Sequence, residues 1–151
     1  MSQQLTAALK AEGGMLAELV AEPQGAADPG PAQKAASGPR TADHAAEYEL
    51  LLEMIIEGSR LHYGSGRVVQ TQDPDLALLL GDQLYALGLA RLAALGDMDA
   101  VRILAETIAS LAQAHAEGDS GRGALIWDQA ALRIGWDPQA VGGSRERRMA
   151  S

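Results

Sequence analysis

The chain of 151 residues contains no cysteine and no phenylalanine, and only 3% of it is aromatic. Without cysteine there are no disulfides, no thiolate metal ligands and no cysteine nucleophile. With no Phe, two Trp and three Tyr, a core must be built from Leu, Ile, Val, Met and Ala, which suits closely packed helices better than a thick layered core. Positive charge is scarce as well: 12 Lys and Arg stand against 20 Asp and Glu, for a net charge of -8. A protein that binds nucleic acid through its phosphates needs a basic stripe, and the single basic cluster, Arg145-Glu146-Arg147-Arg148, reads as a frayed tail. Nucleic acid is not an expected partner. No stretch is read as a membrane span, and the N-terminus lacks the charged-then-apolar order of a secretory signal, so a cytoplasmic location is expected.

What is present is one long apolar run, Leu76 to Asp97, with a start signal before it and a stop signal behind. Asp73 is placed to cap the first turn, Pro74 suits the first helical position, and Asp75 puts negative charge at the positive end of the helix dipole. Gly96 is a natural left-handed terminator. Asp97 then caps a further helix whose Val101, Leu104, Ile108 and Leu111 recur at helical spacing. A link this short predicts two antiparallel helices lying side by side. Gly81 and Gly88 lie on one stripe of the first helix, a heptad apart. Glycine inside a helix costs about 1 kcal/mol relative to alanine, and a neighbouring helix too close to admit a Cβ accounts for it.

Around this hairpin the sequence divides into an N-terminal helical segment (1–21), a Pro-, Gly- and Ala-rich linker (22–40), a helical bundle domain (41–135) and a C-terminal tail (136–151). The N-terminal segment is expected as one interrupted helix or two short pieces, because Gly13-Gly14 falls in its middle. A strong helix is expected over Asp43–Tyr63, capped by Thr41 or Asp43, and a short one over Ala124–Ile134. The fold class is therefore all-α, a small bundle of about four principal helices.

Polar residues inside these helices are the candidates for chemistry. Glu49, Glu53 and Glu57 follow at i, i+4, i+8 and form one stripe of an otherwise apolar helix, expected to stay wet. With His44 and Glu47 they would make half of a carboxylate metal site of the di-metal bundle kind, but only Asp82 and His115 are available to complete it from other helices. Asp82 reads either as a ligand or as a structural carboxylate paired with an Arg or a backbone group. Gly64-Ser65-Gly66-Arg67 is a turn that in another setting cradles phosphate, yet it lacks the strand, the helix and the Lys-Ser/Thr of a P-loop. Trp127 and Trp136 are expected either to close a thin core or to serve as partner contacts.

The run LLLGDQLYALGLARLAALGDMDAVRILAETIASLAQAHAEG, preceded by EYELLLEMIIEGSRLHYG, resembles the middle of the trans-polyprenyl diphosphate synthases. There a helix opening on a Gly-Asp element, here Gly81-Asp82, is followed by a short turn and another helix. In particular it resembles the non-catalytic small component of two-subunit heptaprenyl diphosphate synthases. The resemblance covers about Ala45 to Gly118 and implies a truncated isoprenoid synthase fold. The family's paired aspartates, which hold Mg²⁺ against the departing diphosphate, have no counterpart: the corresponding stretch is Glu57-Gly58-Ser59-Arg60-Leu61-His62-Tyr63. Ser37-Gly38-Pro39-Arg40 only echoes the family's basic diphosphate-binding segment. No catalytic residue, cofactor or metal ligand is carried over.

The expected function is thus a non-catalytic interaction or regulatory subunit that acts through helix packing, as a homodimer or with a catalytic polyprenyl synthase subunit. Leu51, Met54, Ile55, Gly81 and Gly88 are its expected interface. The alternative is a small-molecule- or metal-binding bundle using Glu53, Glu57, His62, Asp82 and His115. Convergence of these five on one pocket would favour the second reading, and their dispersal the first.

Overall fold

A computed structural model describes residues 2–21, 30–119 and 121–140. Its seven α-helices are α1 (Ser2–Glu12), α2 (Gly14–Glu18), α3 (Pro31–Ala36), α4 (Ala45–Tyr63), α5 (Pro74–Leu95), α6 (Met98–Ala116) and α7 (Arg122–Gly135), with a 3₁₀ turn at Pro39–His44. Among the described residues there is no strand, only one isolated antiparallel bridge between Val20 and Val69. The all-α bundle is as expected.

The local signals of the long hairpin act as their chemistry dictates. The Asp73 carboxylate accepts hydrogen bonds from the N–H groups of Asp75 and Leu76 at 3.0 and 3.3 Å, and Pro74 opens α5. Gly96 ends it at φ 79° in the left-handed region, where only a residue without a Cβ sits at ease. Asp97 caps α6 by accepting from the Ala100 N–H at 3.1 Å. Near the N-terminus, Gly13 and Gly14 both take positive φ, which separates α1 from α2.

The central helix is α4, and α5 lies along it. Their approach is glycine-mediated: a Cβ on Gly88 would stand 2.5 Å from Ile55 Cγ1 and 2.9 Å from the Leu51 carbonyl oxygen. A Cβ on Gly81 would stand 2.9 Å from the Gly58 carbonyl oxygen and 2.4 Å from the His62 ring. The expected close helix contact is therefore present, but it lies within the chain. Leu51, Met54 and Ile55 are each at most 1% exposed, so the face assigned to a second copy is consumed by α4–α5 packing.

Two further expectations are corrected. First, α5 and α6 do not lie side by side: α5 packs chiefly on α4 and α6 chiefly on α7, with little contact between them. The apolar face of α6 (Ile103, Leu104, Leu111) finds Trp127, Ala131 and Ile134 of α7 in a single cluster. Second, residues 30–40 are not a linker. In α3, Ala32, Ala35 and Ala36 are buried against α4 and α7; residues 22–29 lie outside the described residues. The signal for α3 was present, since Pro31 opens it and its alanines are strong helix formers. An Ala-rich helix of six residues carries too little apolar contrast for its period to stand out.

Thr41 does not cap α4. Fully buried, its hydroxyl donates to the carbonyl oxygen of Ala35 at 2.7 Å, while α4 begins after His44 with no side-chain cap. The short helix near the C-terminus starts earlier than expected, at Arg122. Of the two roles weighed for the tryptophans, Trp127 takes the core one, while Trp136 is 43% exposed. The Arg145–Arg148 cluster lies outside the described residues.

Candidate functional site

The five polar candidates do not converge. Glu57 is completely buried and is spoken for. One carboxylate oxygen accepts from the backbone N–H groups of Val68 and Val69 at 2.7 and 2.9 Å, and the other accepts from Arg60 Nη1 at 3.0 Å. Gly66 makes the arrangement possible, because a Cβ there would lie 2.7 Å from Glu57 Oε2 and 2.0 Å from the Val69 carbonyl oxygen. The expectation that Glu57 stays wet is thus overturned. A loop folding back over α4 leaves two buried N–H groups in need of an acceptor, and the last glutamate of the stripe supplies it. The same loop receives the N-terminal segment: Ala21 N–H donates to the Val68 carbonyl, and Gln70 N–H to that of Leu19.

Glu53, one turn earlier, is half-buried, and one of its oxygens is buried with no partner among the described residues. Burial, reinforced by the neighbouring charge of Glu49, pushes its carboxyl up to about 7. His62 and Asp82 do meet. The His62 Nε2 lies 2.9 Å from Asp82 Oδ1, close enough for an ion pair when the ring is protonated, though without the alignment of a hydrogen bond. The His62 ring stacks on Tyr85 with centroids 5.0 Å apart. Burial raises the Tyr85 hydroxyl well above the ordinary phenol range. The neighbour of Asp82 is thus a histidine rather than the Arg or backbone group its position suggested. His115 sits elsewhere, its ring against Tyr63 at 4.7 Å. No group of three or more His, Asp or Glu comes together among the described residues. Glu47, proposed beside His44 for a metal, instead pairs with Arg91 at 3.1 Å.

Sequence reasoning missed a polar knot at the α5–α6 turn. Asp97, besides capping α6, accepts from Arg40 Nη2 at 3.0 Å and from the Tyr48 hydroxyl at 2.7 Å. Burial pushes its carboxyl up, but the bonds from Tyr48, Ala100 and Arg40 outweigh this and hold it below the usual range. Burial, then the bond to Asp97, raises the Tyr48 hydroxyl to about 12. Arg40 also donates to the Ile134 carbonyl at 2.6 Å, tying the 3₁₀ turn to α7. This knot is structural, because both oxygens of Asp97 are taken by groups of the fold: the Ala100 N–H, Arg40 and the Tyr48 hydroxyl.

Two surfaces remain open. One is a cleft of about 910 Å³ where α3, α4, α6 and α7 meet, lined by Ile56, Leu111, Trp127, Tyr63, Lys34, Arg60 and Asp128 among others. None of the five candidate polar residues lines it. Gly64 and Ser65, from the turn considered above as a phosphate cradle, reach its edge. The other surface is the outer face of α5. Leu79, Gln83, Ala86, Ala90 and Ala93 are all exposed, at the alternating four- and three-residue spacing of a helix-packing seam, with exposed Ala94 beside them. Contrary to expectation, α5 is long and apolar enough to cross a membrane by length and composition, and only 33% of its most apolar window is buried. Its 22 residues span roughly 33 Å.

Compared with known proteins, the chain matches no family model, no curated sequence and no solved structure.

Proposed function

We propose that the chain is a non-catalytic helical interaction or regulatory subunit, related to the polyprenyl diphosphate synthases, that packs the outer face of α5 against a helix of another subunit. That subunit is a second copy or a catalytic synthase chain. The observation that carries the reading is the exposed seam on α5, with Leu79 63% exposed and no charge from Leu79 to Ala94 except Asp82 and Arg91 at its edges. Small residues there let a partner backbone approach closely, and an uncharged, largely apolar face of this kind on a water-facing helix marks a contact surface. Dispersal of the polar candidates supports the same reading over a metal or catalytic bundle.

A bilayer is a poorer partner for α5 than a helix is. Glycine contacts lock α5 to α4, so spanning would carry Glu49, Glu53, Glu57 and Arg60 toward the hydrocarbon, and each charge there costs several kcal/mol.

The test has two arms. Incubated with allylic and homoallylic diphosphates and Mg²⁺, the chain alone gives no elongated product. In sedimentation equilibrium at micromolar concentration, alone and mixed with a catalytic polyprenyl synthase subunit, the expected result is a complex that Ala90→Glu abolishes. Robust elongation, or a monomer in both mixtures, rejects the reading.

A further inference from the structure

The cleft at the meeting of α3, α4, α6 and α7 is separate from the α5 face, and its volume of about 910 Å³ falls in the range of sites that enclose small organic ligands. Its floor is made of core residues left slightly open: Ile56, Leu111 and Trp127 are each 7% exposed and line it. Apolar surface held at the bottom of a recess is what a hydrocarbon body covers.

The rim has a surplus of donors. Lys34 and Asp128 answer each other across the cleft mouth, so the one carboxylate in the lining is already neutralised. Arg60 is different. Its guanidinium spends one N–H on Glu57 and makes no other hydrogen bond among the described residues, while the side chain stays 30% exposed. Glu57 is itself fixed by the N–H groups of Val68 and Val69, so the guanidinium is held in place before any ligand arrives. A planar guanidinium with free N–H pairs matches a planar carboxylate in two parallel bonds, and fixing it beforehand lowers the entropic cost of binding.

We propose that this cleft binds a small amphipathic monocarboxylate, its hydrocarbon body on Ile56, Leu111 and Trp127 and its carboxylate on Arg60. A single carboxylate fits, because Arg60, although its charge is matched by Glu57 behind the lining, keeps guanidinium N–H groups that Glu57 does not take. A diphosphate head would need further cations or a metal, and no cluster of acids or histidines is present among the described residues to hold one.

Trp127 lies in the cleft and Trp136 does not, so the Trp136→Phe protein, with Trp127 as its one tryptophan, reports on the site by fluorescence. It is titrated with decanoate below its micelle concentration and, in parallel, with decanol, decyltrimethylammonium and inorganic pyrophosphate. The expected result is saturable decanoate binding about tenfold or more tighter than decanol, which is one full charge-assisted contact. Decyltrimethylammonium and pyrophosphate bind more weakly still. Arg60→Gln brings decanoate down to the level of decanol and leaves decanol unchanged. Because Arg60→Gln also strips Glu57 of a partner, its melting is followed in the same samples. Ala124→Phe, at an exposed lining position, fills the cleft without touching Glu57 and weakens both amphiphiles. Equal affinity for decanoate and decanol, tighter binding of pyrophosphate, no saturable signal, or decanoate binding unmoved by Ala124→Phe overturns the proposal.

Discussion

The bundle has two sides that hold together by different means. Around α4 and α5, long helices meet through glycines, and the neighbouring cluster of Leu5, Leu9, Leu16, Met54, Leu80 and Leu84 lies under α1 and α2. Around α3 and α7, a helix of six residues is pinned by a few polar bonds, two to backbone carbonyls (Thr41 to Ala35, Arg40 to Ile134) and one to a carboxylate (Lys34 to Asp128). There too backbones touch closely, since a Cβ on Gly38 would fall 2.2 Å from the Gly135 carbonyl oxygen. The first side relies on periodic shape over many residues, the second on a few specific bonds. The difference teaches that one close-packing device, glycine against backbone, serves both a regular and an irregular contact, and only the regular one announces itself in sequence.

The largest effects break each side at its tightest point. Gly88→Leu is expected to lower stability by about 3 kcal/mol, at the upper end for overpacking, because the clash is with a Leu51 carbonyl oxygen as well as with Ile55. Gly38→Ala meets only backbone at Gly135, which cannot rotate away, and should cost about 2–3 kcal/mol despite adding one methyl. Chemical denaturation measures both. A Gly38→Ala protein as stable as wild type would show that the α3–α7 corner is looser than the α4–α5 seam.

Next in size is Glu57→Leu. It leaves the N–H groups of Val68 and Val69 buried without an acceptor, and a loss of about 2–4 kcal/mol is expected. Glu57→Gln retains one acceptor oxygen and should lose roughly half as much. Proteolysis within residues 64–70 is the sharper readout, since release of that loop also frees the segment at Val20.

Two partly buried acids, Glu53 and Asp97, are shifted in opposite directions, and this separates the sides by pH. Glu53 is raised to about 7, so between its unfolded value near 4.3 and about 7 the folded state binds more protons and stability falls as pH rises. Glu53→Gln should flatten that slope and add about 1–2 kcal/mol at pH 8, a figure discounted for partial exposure. Asp97 is lowered. Its contribution is complete above its unfolded value near 3.9 and is lost as pH falls through the folded value below that. Thermal melts between pH 3 and 8 should thus show a gain from Glu53→Gln only toward neutrality and a loss from Asp97→Asn that shrinks toward pH 3.

The smallest effect is expected from Glu106→Ala. Its bond to Arg133 at 2.8 Å joins α6 to α7 across an exposed surface, and such pairs are worth under about 1 kcal/mol. A loss above that would mean that the α6–α7 contact leans on surface charge more than on Trp127.

Several things were settled by sequence alone. The α5 boundaries followed from Asp73-Pro74 and Gly96, and the start of α6 from Asp97, because capping is chemistry between residues at most a few positions apart. The close approach announced by Gly81 and Gly88 was also legible, since a missing Cβ leaves a mark wherever a helix repeats. Which surface that mark faced was not. Nothing local distinguishes a neighbour supplied by the same chain from one supplied by another, so Leu51, Met54 and Ile55 read as an interface in sequence and are interior in the fold. The burial of Glu57 was decided by a loop 11 and 12 residues away presenting two unpaired N–H groups, and the cleft by four helices meeting across more than 90 residues of chain. Caps and periods depend on short-range geometry that the sequence carries directly. Burial and convergence depend on what arrives from far along the chain, and only the tertiary structure decides that.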